Sequence, residues 1–484
     1  MKILIVSSEI VPFAKTGGLA DVCGALTKEL SELGVEVNVA LPLYRSVSAG
    51  DFRIEPILKD LPIELGHRKL TADVYKGNLE ENIGVFFVKK DEFYDRTYLY
   101  ATPKEDYFDN AERFIFFSKA IIGLSKALNI KWDIMHCNDW QTAIIPVILR
   151  IVYASDPLFK NIKTVLTIHN LGYQGIFPPD SFSLTGLSPH LFSIDGLEFW
   201  GNINLLKGGI VFADQITTVS PTYAKEIQTE EFGFGLDGLL RAHAHKLLGI
   251  LNGTDYGEWN PETDPYIAAK YSKEDFSGKR HCKKDLLSEF DLPIELMERP
   301  LIGMIGRLAT QKGIDLLANA IDDIIGKGAG LVILGKGEKR YEELLEVLAS
   351  RHKGSIGVRI AFDHKLAHKI EAGSDMFLIP SRYEPCGLNQ MYSLKYGTLP
   401  IAHHTGGLAD TVVEVEENKG EGTGFKFYDY SKDDLIKAID KAIRCFSNKE
   451  LWQRLVIQAM FCDFSWSRAA REYLNVYQKL LNDQ

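Results

Sequence analysis

The chain has 484 residues, 45% of them hydrophobic, and a formal net charge of −10 at pH 7. That length exceeds one ordinary core and points to two large domains. The acidic balance argues against nucleic acid or an anionic membrane surface as the main partner. The six cysteines (Cys23, Cys137, Cys282, Cys386, Cys445, Cys462) show neither a CxxC pair nor a metal spacing, a pattern of reducing compartments. The opening apolar run, Met1–Val6, is too short for a signal peptide, and no stretch is long enough to span a bilayer. A cytoplasmic protein is expected.

In chain order, Ile3–Ser7 is an apolar run typical of a strand buried on both faces. Lys15-Thr16-Gly17-Gly18-Leu19-Ala20-Asp21 follows, then a helical pattern over 22–33 and a second strand over 35–41. The glycines sit where a ligand meets the C-terminal edge of a parallel sheet. G-x-G-x-x-G, the dinucleotide fingerprint, is absent. Lys15 is within reach of a phosphate there, though an ordinary loop lysine looks the same. Alternating residues over 52–88 predict antiparallel or edge strands. A helix over 110–128 leads to three strands with polar tips: His136-Cys137-Asn138-Asp139-Trp140, Thr167-Ile168-His169-Asn170 and Thr217-Thr218-Val219-Ser220. One polar residue at a strand end is usually structural; three successive tips that converge on one edge of a doubly wound sheet suggest a site.

The pattern pauses near Leu251-Asn252-Gly253-Thr254-Asp255 and restarts with strands over 301–306, 331–335 and 358–362. Gly306-Arg307-Leu308-Ala309-Thr310-Gln311-Lys312-Gly313 places two cations on a glycine-flanked loop suited to clamping a diphosphate. Strand 375–379 runs into Ser381-Arg382-Tyr383-Glu384-Pro385-Cys386-Gly387-Leu388-Asn389-Gln390 and a helix. This is a turn where backbone N–H groups meet anions. Glu384 would repel a phosphate, so it suits a neutral, hydroxyl-rich group; a diphosphate carrying a sugar fits both demands. A solvated surface loop is the alternative. Thr16–Asp21 recurs letter for letter as Thr405–Asp410, suggesting two similar halves. Residues 433–481 are predicted helical, with a break near 464–466.

Taken in order, Lys15–Leu19, His136–Trp140, Thr167–Asn170, Leu251–Asp255, Gly306–Leu308 with Gln311–Gly313, and Glu384–Leu388 make a set that resembles bacterial glycogen synthase and plant starch synthase over essentially the whole chain. The resemblance implies an α/β GT-B fold of two Rossmann-like domains facing a deep cleft. The expected domains are 1–250 on the acceptor side, joined by a C-terminal helix over 460–484, and 251–459 on the donor side. It also implies a hexosyltransferase moving glucose, with retention, from ADP-glucose to the non-reducing end of an α-1,4-glucan. No cofactor and no metal are expected.

By the same resemblance, Lys15 and Gly18 face the donor diphosphate, with Asp21 supporting their loop. Arg307, Lys312 and the backbone at Gly387 and Leu388 neutralise it, and Phe362, where the family often has Tyr, stacks on the base. His169, Asn252, Glu384 and Cys386 surround the glucose, while Asp139, Trp140 and Asn170 lie toward the acceptor. Asn389 stands where Thr is common, and Tyr392 where many retaining relatives carry a second Glu. A UDP-glucose-dependent synthase and an inactive glucan-binding homologue are the alternatives; a phosphorylase-like enzyme is disfavoured by length and by the lack of a Schiff-base lysine.

Overall fold

The computed structural model describes residues 1–102 and 104–482, so the last two residues of the expected 460–484 helix lie outside the described residues. The chain divides into two compact units, Met1–Leu251 with Trp466–Gln484, and Asn252–Ser465.

The first unit holds a nine-stranded sheet. Seven strands are parallel, in the spatial order Leu247–Gly249, Gln215–Thr218, Lys163–Ile168, Ile134–Asn138, Lys2–Val6, Glu36–Pro42, Ile83–Lys89. Most of their residues are buried, the polar ones His136, Asn138, Thr167, Thr217 and Thr218 included, because helices cover both faces of such a sheet. Of the antiparallel or edge strands expected over 52–88, Glu55–Leu65 and Arg68–Glu80 are the outermost, antiparallel pair. Ile83–Lys89 instead runs parallel to Glu36–Pro42 and belongs to the parallel set, because it lies inside the sheet rather than at its edge. Helix Gly18–Glu32 starts four residues earlier than its apolar periodicity, at the glycine pair. The last helix, Trp466–Asn482, packs against it.

The second unit has a six-stranded, all-parallel sheet: Ile356–Ile360, Gly330–Gly335, Leu301–Ile305, Met376–Ile379, Leu399–His403, Phe425–Phe427. The last two strands carry no expectation from the sequence; Pro400 and the brevity of Phe425–Phe427 hide them. The helical tail resolves into Lys432–Ser447 and Lys449–Met460, and the predicted break falls at residues 461–465. Where the chain leaves and returns, Thr254 N–H donates to Phe464 O at 2.7 Å and Phe464 N–H to the Tyr256 hydroxyl at 3.0 Å.

Candidate functional site

In the second unit, strand Leu301–Ile305 has its sequence successor Gly330–Gly335 on one side and Met376–Ile379 on the other. Loops leaving the C-terminal ends of 301–305 and 376–379 therefore diverge from a topological switch point, where open α/β sheets bind ligands. The two loops are tied together. Arg382 N–H donates to Gln311 O at 2.9 Å, and Gln311 Nε2 to Tyr383 O at 3.4 Å. Gly313, at φ 75°, passes so close to Pro380 that a Cβ would lie 1.8 Å from its carbonyl oxygen, so no other residue fits.

This platform carries the expected cations. Arg307 is exposed, with Nη2 3.2 Å from Gln311 Oε1. Lys312 Nζ lies 2.5 Å from Glu384 Oε2, which also accepts from the Ser381 hydroxyl at 3.0 Å. Glu384 is buried and Lys312 partly so. Cys386 is buried beside them, and burial pushes its thiol up to about 12, so it is a neutral group and no nucleophile. The Asn252 backbone hydrogen-bonds to that thiol. Among the described residues, Asn252 Oδ1 and Gln390 Oε1 are buried acceptors with no hydrogen-bond partner. Asn389 Nδ2 donates to Ile305 O at 2.8 Å, bracing the helix Asn389–Lys395 behind Gly387 and Leu388. With seven residues and no side-chain cap, that helix supplies a modest dipole, so Arg307 and Lys312 carry most of the positive charge. Phe362 projects beyond strand Ile356–Ile360, 91% exposed. Tyr392, eight positions after Glu384, stacks on Trp259 at 4.1 Å and is structural.

In the first unit, Lys2–Val6 and its neighbour Ile134–Asn138 likewise flank a switch point. The glycines that open helix Gly18–Glu32 have open space before them: a Cβ on Gly17 or Gly18 would meet nothing within 4 Å. Lys15 Nζ pairs with Asp21 Oδ1 at 2.7 Å. Asp139, at φ 54°, is buried, and its Oδ1 accepts the His169 N–H at 2.7 Å. Burial pushes the Asp139 carboxyl up to about 7, against the lowering effect of N–H groups from His169 and Asn170. Burial holds the His169 imidazole down to about 3, hence neutral. Asn138 Nδ2 donates to Val6 O at 3.2 Å, which aims Asn138 Oδ1 at His169 Nε2, 2.9 Å away. His169 therefore carries its proton on Nε2 and keeps Nδ1 as an acceptor. Asn170 Oδ1 accepts from Gly172 N–H at 2.9 Å. Trp140 is buried edge-on against Phe114 and Phe177, so its ring is a wall of the core and offers no open stacking face.

Residues 2–242 match the family model "Starch synthase catalytic domain" and residues 291–457 match "Glycosyl transferases group 1". The chain is 48% identical over 479 residues to the glycogen synthase of Koribacter versatilis (strain Ellin345), covering 99% of this chain and 98% of that one. It is 45% identical over 487 residues to the glycogen synthase of Thermotoga maritima, covering 99% of each. The chain belongs to the glycogen and starch synthase family. Among solved structures, the catalytic domain of starch synthase IV from Arabidopsis thaliana, bound to ADP and acarbose, superposes with a TM-score of 0.91 at 32% identity, covering 99% of both chains. Sucrose-phosphate synthase from Thermosynechococcus elongatus, at 17% identity and a TM-score of 0.62, shares the fold. The protein is thus a GT-B glucosyltransferase of the glycogen synthase type, made of two doubly wound units.

One residue of this synthase escapes sequence reasoning. Glu9 is buried, and its carboxylate accepts the Thr16 hydroxyl at 2.6 Å, the Gly17 N–H at 3.3 Å and the Tyr100 hydroxyl at 2.6 Å, besides the Thr16 N–H. It fixes the loop that carries Lys15. An acid between Ser8 and Ile10 gives no local signal of this, because its partners come from Tyr100 and from a loop still to be folded.

Proposed function

We propose that the enzyme transfers glucose with retention from ADP-glucose to the non-reducing end of an α-1,4-glucan. The observation that carries the reading is the platform of the second unit, where two cations, a buried carboxylate and two unpartnered buried acceptors share one switch point. Arg307 as a fork and Lys312 as a point charge neutralise the diphosphate, with the backbone at Gly387 and Leu388 and support from Asn389. Glu384, Asn252 and the neutral Cys386 thiol hold the glucose from the second unit, and His169 is the first unit's neutral sugar-binding group; orphaned carbonyl acceptors such as Asn252 Oδ1 suit sugar hydroxyls. Phe362 stacks on the base. Residues 251–459 form the donor side and residues 1–250 the acceptor side. There Asp139 and Asn170 contact the glucan, Trp140 backs them, and Lys15 with Gly18 and Asp21 forms an anion-facing loop.

In the transfer, the bond from the anomeric carbon to the leaving phosphate oxygen breaks as the bond to the acceptor oxygen forms on the same face. The acceptor hydroxyl's proton passes to the departing phosphate oxygen. The protein's part is electrostatic: Arg307 and Lys312 stabilise the charge that grows on the diphosphate. Glycosidase-style retention needs two carboxylates roughly 5–5.5 Å apart; Glu384 and Asp139 belong to different units, and a front-face path requires no such pair. Stacking on Phe362 is indifferent to the base, and likeness to a starch synthase solved with ADP favours adenine. Among the described residues no helix is long and apolar enough to cross a membrane, and all six cysteines are unpaired, which supports a cytoplasmic enzyme.

The test is initial-rate transfer of labelled glucose from ADP-glucose and from UDP-glucose onto glycogen. ADP-glucose should be the better substrate. Preference for UDP-glucose would overturn the donor assignment, and no transfer from either, with glycogen still bound, would reduce the protein to a glucan binder.

A further inference from the structure

Helix His364–Gly373 starts just after the loop that bears Phe362 and carries His364 and His368 one turn apart on the same face. Their ring centroids are 4.7 Å apart. Glu258 joins them, its Oε1 2.8 Å from His364 Nε2. One ligand atom from each of the three residues lies within 4.8 Å of the other two. Sequence spacing conceals the cluster, because Glu258 is 106 positions from His364.

A second, independent observation lies beneath. His368 is wholly buried, yet its Nε2 has no hydrogen-bond partner among the described residues. Its other nitrogen, Nδ1, is 2.7 Å from Asp264 Oδ2, and that carboxylate also accepts from the Tyr396 hydroxyl at 2.5 Å and from the Tyr266 N–H at 2.8 Å. A carboxylate only accepts, so the imidazole proton is held on Nδ1 and the Nε2 lone pair is left bare. Trp259 stacks flat on the ring at 3.8 Å and prevents it from turning. A buried acceptor without a donor is costly. A carboxylate on the far nitrogen is the arrangement that orients metal-binding histidines.

We propose that Glu258, His364 and His368 form a zinc(II) site, separate from the groups assigned to glucosyl transfer. Two imidazoles and one carboxylate match the donors zinc takes, and the half-exposed Glu258 and His364 leave the fourth position to water. Zinc bonds of about 2.0–2.1 Å set tetrahedral ligand atoms roughly 3.3 Å apart. The buried His368 can stay fixed while the two exposed side chains close on the ion. Binding breaks the hydrogen bond between His364 and Glu258, and the ion takes the His364 Nε2 lone pair while the ring's proton resides on Nδ1. The bound ion then pins the Glu258 loop to the first turn of helix His364–Gly373.

The full-length chain, stripped with EDTA, should bind one tight equivalent of zinc when titrated with zinc chloride against a chromophoric chelator. Cobalt(II) in its place should give the intense visible bands of tetrahedral coordination. His364→Ala and Glu258→Gln, both at half-exposed positions, should keep the fold and weaken binding by at least ~10-fold. Asp264→Asn, which replaces the carboxylate behind His368 with a neutral amide and one of its two acceptor oxygens with a donor, should cost ~10–100-fold. These variants keep the test open if His368→Ala fails to fold. Absence of a tight equivalent, or one that survives both His364→Ala and Glu258→Gln, overturns the site.

Discussion

Arg307 and Lys312 are assigned the same task, yet the structure holds them differently, and the difference separates two effects of mutation. Arg307 is exposed, with a 3.2 Å bond to Gln311 at the surface, so its removal strands no buried group. Lys312 neutralises the buried Glu384, and its removal leaves a carboxylate in a site that water reaches poorly. Breaking one side of a buried pair costs about 3–5 kcal/mol at the extreme; Lys312 is partly exposed and Ser381 still serves Glu384, so a smaller loss is expected. Arg307→Ala should therefore lower kcat/KM by ~100-fold or more with an unchanged melting temperature. Lys312→Ala should lower both. Kinetics and thermal melts on the two variants check this; activity within a few-fold of wild type for both would remove the diphosphate assignment.

At the level of elements, the repeated Thr-Gly-Gly-Leu-Ala-Asp shows what a sequence can and cannot reveal. Both copies start a helix, as local chemistry dictates, but their surroundings differ. The first opens a helix of 15 residues with free space in front of its glycines. The second opens a helix of six residues wedged under the Glu384–Gly387 turn, where a Cβ on Gly407 would lie 2.1 Å from Cys386 O. Gly407 N–H donates to Glu384 O at 3.1 Å. Identical letters thus serve an open loop in one unit and the underside of a turn in the other. Most of the parallel strands, the switch-point loops and their charged residues were legible because they are written locally; the short strands Leu247–Gly249 and Phe425–Phe427 were not. Glu9, the burial of Trp140 and the Glu258–His364–His368 cluster were not, since each depends on neighbours distant in the chain. The contrast is testable. Gly407→Ala should destabilise the protein by about 1–3 kcal/mol through overpacking against backbone that cannot yield. Gly18→Ala should be close to neutral in stability, because its Cβ enters open space. Urea unfolding of the two variants would show it, and equal losses would mean the two copies are packed alike.

Across the whole molecule, the chain builds most of its first unit, then all of its second, and returns at Trp466 to complete the first. Among the described residues, the second unit's core runs from Trp259 to Met460 with Phe464 packed against it, all within residues 252–465. The first unit depends on its returning helix. Trp466, Tyr473 and Tyr477 are buried, and the Tyr477 hydroxyl bonds His136 Nδ1 at 2.7 Å at the centre of the sheet. Burial pushes that histidine down to about 3 and keeps it neutral, so loss of the tyrosine would leave a polar nitrogen stranded in the core. Three aromatic side chains at about 200 Å² each and about 25 cal/mol per Å² give an upper bound of roughly 15 kcal/mol. That is as large as the entire stability of an ordinary domain, about 5–15 kcal/mol. Residues 252–465 alone should therefore fold and unfold cooperatively in urea. Residues 1–251 alone should lack a cooperative transition until a peptide spanning 466–482 is added. Circular dichroism and urea titration of the two fragments decide the matter: cooperative unfolding of 1–251 without the peptide would show that the returning helix is an attachment rather than part of the unit's core.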